Sequence, residues 1–296
     1  MKLGMKKSNA LGQFALTAFL TILCIIVIVP FWLLVSVSLS NEMDISYYGY
    51  QFIPKNIDLT AYKYVFKNPD MLLQAYKVTA IFSAAGTALN IVMVSLLAYP
   101  LSRRTFTLRL KLSKFLYFST LFGGGLVPYY ILITKYLNLD NTIWVYIIPG
   151  AFSLWSSFIM RSFFKGIPEE IVESAYMDGA SEYRILFQIM YPLSTPIIAT
   201  MAVTGFIGRW GDWNTAMLYI DDSKLYSLQY MLQRLLQNIT LLQNNEEARM
   251  FEDSIAIPSE TVRMAMAVVV AGPILFIFPF FQKYFTKGMV IGSVKG

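Results

Sequence analysis

Six apolar runs, residues 14–39, 78–100, 115–132, 142–160, 192–208 and 264–281, constrain this chain more than any other feature. Each approaches or exceeds the roughly 17 to 25 residues that a helix needs to cross a bilayer. With 56% hydrophobic residues, 14% charged residues and a mean hydropathy of +0.53, the chain is too apolar for one water-soluble core. The predicted fold class is an all-α integral membrane protein with six transmembrane helices, one transmembrane domain over residues 1–296. The first run follows Lys2, Lys6 and Lys7 but is too long for a signal-peptide core and no small-residue cleavage site follows, so it reads as a retained anchor.

Lysine and arginine at the span ends set orientation. An N-terminus inside places Arg103, Arg104, Arg109, Lys111, Lys114, Arg161, Lys165 and Arg184 inside, with the tail's Lys283, Lys287 and Lys295. The expected location is the plasma membrane, multi-pass, with both termini cytoplasmic. Two longer segments, about 41–77 and 209–263, fall outside; the second holds a helical apolar period at Leu225, Leu228, Leu232, Leu235 and Leu236, and then a polar stretch, residues 243–253, that reads as a loop. The formal charge of +6 is spread beside apolar runs and forms no nucleic-acid stripe.

Histidine is absent and Cys24 is the single cysteine. These counts exclude a Ser-His-Asp triad, a thiolate zinc cage and an internal disulfide, so neither a metal site nor a catalytic site is expected. None of the six runs contains Asp, Glu, Lys, Arg or His, although ion-coupled carriers usually place such groups in the membrane. If the chain carries out energised transport, the energy is expected from outside the bilayer. A secondary transporter using carbonyls and hydroxyls stays open.

The spans do contain helix breakers. Gly123, Gly124 and Gly125 are the densest cluster, followed by Tyr129 and Tyr130; Pro149-Gly150, Pro192 and Pro273 are others. Freed backbone groups in lipid must be satisfied again, so the glycines mark either an unwound segment beside a translocation path or close helix packing. Beyond the fifth run lies RWGDWNTAMLY, residues 209–219. Trp210, Asp212, Trp213 and Asn214 combine aromatic faces with hydrogen-bonding groups, which suits a sugar contact or gate and equally an interfacial aromatic belt.

Residues 167–191 form the long polar segment on the inner side. Pro168, Glu169 and Glu170 read as a helix start, Asp178-Gly179 as its end, and Ser181 as the start of a second helix running to Pro192. Ala175 and Ala180 flank a narrow turn, and Glu173 offers a carboxylate to a basic partner. An ordinary amphipathic connection would have the same outline.

Residues 173–192, ESAYMDGASEYRILFQIMYP, carry the spacing E-A-A-x3-G-x9-I-x-L-P at Glu173, Ala175, Gly179, Ile189 and Pro192, with Ser174 for the second Ala and Tyr191 for Leu. This resembles the signature of permease subunits of ATP-binding-cassette (ABC) importers. The layout and the closing YFTKGMVIGSVKG are similar to carbohydrate permeases of the maltose-permease type, and the FGGGLVP run, residues 122–128, resembles a group handling oligosaccharides such as aldouronates.

The resemblance implies a type I ABC importer permease that moves a sugar or oligosaccharide delivered by an extracellular binding protein. It implies that Glu173, Ala175, Asp178, Gly179 and Ala180 form a coupling helix docked on a cytoplasmic ATPase, with the tail from Lys287 reaching the same ATPase dimer. A second, different permease subunit and two ATPase copies complete the assembly. The chain itself would bind no cofactor, ATP and Mg belonging to the ATPase: no GxxxxGK[ST] phosphate loop is present. An ABC permease for a non-sugar solute is the nearest alternative.

Overall fold

The computed structural model describes residues 10–244 and 259–292. Helix α1 (Ala10–Ser38) is apolar all round and none of its most apolar stretch is buried by protein, as expected of a helix whose surroundings are lipid. At its end Trp32 Nε1 donates to Phe52 O at 2.9 Å and Ser36 Oγ to Gln51 O at 2.7 Å, tying down the segment that holds α2 (Glu42–Tyr48) and α3 (Thr60–Val65). Asn41 caps α2 by accepting from Met43 N at 2.9 Å. Among the described residues there is no strand, only an isolated bridge between Ser40 and Ile57.

Helix α4 (Pro69–Ser102) is the axis of a second compact unit, residues 69–234 with 272–296. Around it lie α5 (Arg109–Thr120), α6 (Leu126–Ile131) continued by a π turn (Leu132–Tyr136), α7 (Trp144–Ile147), α8 (Leu154–Lys165) and α9 (Glu169–Met177). There follow α10 (Glu182–Arg184), a π stretch (Ile185–Met190), α11 (Tyr191–Leu193), α12 (Thr195–Trp210), α13 (Asn214–Tyr219) and α14 (Leu228–Asn244).

Two apolar clusters grip opposite ends of α4. Val78 and Phe82 pack with Ile133, Tyr146, Ala216 and Tyr219, the rings of Phe82 and Tyr146 stacking at 4.3 Å. Val94, Ala98 and Tyr99 pack with Met160, Phe164, Val172, Ile185 and Met190. Gln74 reaches Lys224 O at one end and Tyr99 reaches Glu182 at the other, and 25 residues of helix separate these contacts by about 38 Å, more than a hydrocarbon core.

The last described element, α15 (Ser259–Gly292), begins in the first unit, which comprises residues 1–68 and 235–271. The Glu42 carboxylate caps its N-terminus, accepting from Glu260 N and Thr261 N at 2.9 Å each and from Thr261 Oγ1 at 2.7 Å. Val262 and Ala265 pack there with Ala61 and Leu235.

Two described stretches, Gly12–Ser38 and Pro69–Ser102, are each long and apolar enough to cross a membrane unbroken, and α10–α11 with α12 would make a third, bent by 83°. The breakers act in some runs and not in others: the sixth run lies within α15, which continues as one helix through Pro273 and Pro279, whereas the third and fourth runs are interrupted. The third run is cut at residues 121–125, where Gly125 has φ +83°, and the fourth at Pro149-Gly150, leaving α7 only four residues long. Pro192 does not end its helix as expected. The π stretch before it widens the turn and accommodates a residue with no N–H, and the break comes at Ser194. The apolar period around Leu228 and Leu232 is helical and buried, but α14 starts at Leu228, and Leu225 lies in a separate 3-10 turn before it. Of the polar stretch 243–253, residues beyond 244 lie outside the described residues, as does the tail beyond Gly292.

Candidate functional site

The polar segment folds as a helix, a one-residue left-handed turn and a second helix. Glu169 and Glu170 occupy the first turn of α9 behind Pro168, where acids complement the helix dipole. At its end Gly179 N donates to Tyr176 O at 2.9 Å and Ala180 N to Ala175 O at 3.0 Å, the paired bonds of a glycine-terminated helix. Gly179 has φ +74° and faces open space. Ser181 Oγ then caps the next helix by accepting from Arg184 N at 3.4 Å.

This geometry divides the five predicted coupling residues. Ala175 is buried in the cluster with Val172 and Ile185, and Ala180 packs partly against it, so the two alanines hold the turn to the bundle and do not present its tip. Glu173, Asp178 and Gly179 are exposed, joined by Met177 at 88% exposure. The protruding face is therefore Glu173, Met177, Asp178 and Gly179, carried on a buried alanine base.

Glu182 went unnoticed in the sequence. One carboxylate oxygen accepts from Tyr99 Oη at 2.5 Å, and the other accepts a short hydrogen bond from Tyr176 Oη. Partial burial and this bond to Glu182 raise the Tyr176 phenol above its ordinary range. Tyr176 lies on α9 and Tyr99 on α4, so a single carboxylate ties the protruding helix to a membrane-crossing one.

At the opposite end of α4, Trp210 is 3% exposed and packs on Phe206 at 5.7 Å, and Asp212 caps α13 by accepting from Thr215 N at 3.0 Å and Thr215 Oγ1 at 2.6 Å. Both are occupied structurally. Trp213 is half-buried and Asn214 exposed. Gly123, Gly124 and Gly125 form an open, non-helical, exposed segment in which an added Cβ meets at most Pro128 Cβ at 3.9 Å, so among the described residues of this chain nothing packs closely on them. Tyr129 is 44% exposed; its neighbour Tyr130 stacks on Tyr219 at 5.4 Å and brings α6 beside α13.

A second residue escaped the sequence reading. Arg209 Nη2 donates to Gly150 O at 2.6 Å and Nη1 to Gly205 O at 3.3 Å, while Asn90 Nδ2 shares Gly150 O at 3.3 Å and reaches Ala151 O at 3.2 Å. Asn90 and Arg209 thus satisfy carbonyls freed by the Pro149-Gly150 break. Gly86 leaves room for the guanidinium: a Cβ there would lie 2.6 Å from Arg209 Nε. Among the described residues no group of three or more His, Cys, Asp or Glu side chains could hold a metal.

A bent-span helical bundle with one polar helix-turn-helix protruding at an end of its central helix defines a membrane-embedded transport subunit. The model of the family described as binding-protein-dependent transport system inner membrane component matches residues 78–291, and the chain belongs to that family. It is an ABC importer permease, multi-pass in the membrane, and not an enzyme. Protein LplC of Bacillus subtilis (strain 168) is 38% identical over 92% of this chain and 90% of its own length. The polygalacturonan/rhamnogalacturonan transport system permease protein YtcP of the same organism is 33% identical over 97% and 99%. A crystal structure of a bacterial ABC transporter involved in the import of the acidic polysaccharide alginate contains a chain with TM-score 0.79 and 26% identity, covering 96% of this chain and 100% of that one.

Proposed function

We propose that this chain carries oligosaccharides rich in uronic acids into the cell, taking them from an extracellular binding protein and driven by ATP hydrolysis in a partner. The observation that carries the mechanism is the exposed Gly179 turn, fastened through Tyr176, Glu182 and Tyr99 to α4. Docked in a cleft of a cytoplasmic ATPase, Glu173, Met177 and Asp178 would receive its closure, and the shared carboxylate would pass that movement to α4. The substrate class draws support from relatives whose names specify polygalacturonan and alginate.

The termini and the coupling segment face the cytoplasm in this reading, and the end bearing Lys224 faces outward. The separation of those ends along α4 and the basic residues beside α9 support it. Two ATPase copies, which bind ATP and Mg, and a second, different permease complete the importer. Gly123–Gly125, Tyr129, Trp213 and Asn214 are the side of the path that substrate meets; Trp210 and Asp212 shape it from behind. The test is ATPase activity of the assembled importer in liposomes against binding protein loaded with oligogalacturonates, oligoalginates or neutral maltodextrins. Stimulation by a uronate oligomer is expected; stimulation by neutral sugars alone would refute the substrate class, and by no saccharide the sugar assignment.

A further inference from the structure

Between the ends of α4 and α8 and the starts of α5 and α9 lies a cavity of about 720 Å³ lined by Arg103, Arg104, Arg109, Arg161 and Lys165. Only Glu169 and Glu170 oppose these five cations, which leaves a formal +3. Residues spread over some sixty positions meet here, so the charge is gathered into one concavity and not merely distributed along span ends.

The protein does little to neutralise it. Glu169 pairs with Arg104 at 3.5 Å, on an Arg104 side chain that is 81% exposed. Arg161 Nε donates to Leu101 O at 3.0 Å and Arg109 Nη1 makes a long contact of 3.5 Å with Arg103 O. Arg103 Nε is buried with no hydrogen-bond partner. Partial burial, with the neighbouring Arg161 and Arg109 adding to it, lowers the Lys165 ammonium below its ordinary range. Arginine forks of this kind match phosphate oxygens.

The wall of the cavity distinguishes a tailed anion from a free one. Helix α5 buries none of its side chains. Leu110, which lines the cavity, is followed on the same side of the helix by Lys114 and Tyr117 and then by Leu121 at its C-cap, all exposed. A cationic bowl opening onto exposed leucine and tyrosine side chains, with Lys114 beside its rim, fits a phosphate diester headgroup with acyl chains.

We propose that this cavity is a binding site for the phosphate headgroup of an anionic phospholipid, whose acyl chains lie along α5. Because Pro168, Glu169 and Glu170 form one wall, the bound lipid buttresses the start of α9, the helix that ends in the coupling turn. The inference needs α4, α5 and α8 to meet the bilayer edge and is independent of which solute is carried.

The test is native mass spectrometry of the delipidated, fully assembled importer titrated with phosphatidylglycerol, phosphatidylcholine or inorganic phosphate. Wild type should retain phosphatidylglycerol, and Arg104→Gln/Arg109→Gln should bind it about 30-fold more weakly. Lys111→Gln/Arg184→Gln, which removes equal charge at the same end but outside the cavity, should bind as wild type. Glu170→Gln should bind about fivefold more tightly, a gain that misfolding cannot produce. Equal phosphatidylglycerol binding by all variants would overturn the proposal. So would displacement of the lipid by inorganic phosphate at matching concentration, which marks a free-anion site. Loss of the ATPase from Arg104→Gln/Arg109→Gln with lipid binding unchanged would also overturn it, assigning the cavity to a protein partner.

Discussion

Tyr99 and Tyr176, 77 positions apart on two different helices, donate to the two oxygens of one carboxylate, that of Glu182. Hydrogen bonds to a charged group contribute about 1.5 to 3 kcal/mol when sheltered. Tyr99→Phe should therefore cost about 2 kcal/mol, and Tyr176→Phe, on the exposed side, less than that. Because the donors share an acceptor, the double variant should depart from additivity in a thermal-unfolding cycle.

The coupling turn depends on the left-handed conformation of Gly179 and not on space around it, since an added Cβ meets nothing within 4 Å. Gly179→Ala should thus cost about 1 to 2 kcal/mol through backbone strain alone, while Gly179→Asn should cost less. Copurification of the ATPase should fall in the same order. With Cys24 replaced by serine, Met177→Cys should cross-link to the ATPase, because Met177 stands at the tip.

Arg209 fills the space that Gly86 leaves. Gly86→Ala brings a Cβ to 2.6 Å from Nε and forces the guanidinium off Gly150 O, a loss of about 1 to 3 kcal/mol. In an Arg209→Ala background the same glycine substitution should be nearly silent. Gly205→Ala, whose Cβ would sit 3.4 Å from Nη1, should be milder than Gly86→Ala. Unfolding midpoints of the four variants check this.

Asp58 supplies a pH dependence in the first unit. Its carboxyl is held below the ordinary carboxylate range, chiefly by hydrogen bonds from Thr60 Oγ1 at 2.6 Å and Thr60 N at 2.9 Å, with Asn41 Nδ2 at 3.0 Å adding to them. A depressed carboxylate stabilises the fold fully above its unfolded pKa of about 3.9, and that contribution is lost as pH falls from there through the lower folded value. Asp58→Asn should flatten the acid limb of the stability profile below about pH 4 and leave the neutral region's slope unchanged.

Much of this was written locally in the chain. α1 and α4 were legible as apolar length, the turn at Gly179 as a glycine between two helical periods, and the break at Gly123–Gly125 as a cluster of residues without a helical preference. The exposed tip followed from the same spacing. Ala175 and Ala180 flank the turn where spacing places them, and packing against Val172 and Ile185 adds that they face inward. Glu182 and Arg209 were not legible because their partners are remote. Glu182 meets a tyrosine 83 positions away, and Arg209 is surrounded by Gly86, Gly150 and Gly205, which are unrelated until α4, the 148–153 turn and α12 come together. Arg209 also sits one residue past an apolar run, where a cation ordinarily marks a membrane edge. The signal that could have found it is a strictly uncharged span ending in an arginine opposite a Pro-Gly break.

The most direct test of the account is the number of substrate molecules imported per ATP hydrolysed by proteoliposomes containing Glu182→Gln in the otherwise complete importer. The amide keeps the size of the side chain but weakens both tyrosine bonds, while the Gly179 turn and its docking face stay intact. The account predicts that ATP hydrolysis continues with the ATPase still bound and that import per ATP falls severalfold. A wild-type ratio in that variant would contradict the claim that force passes from the coupling helix to α4 through Glu182.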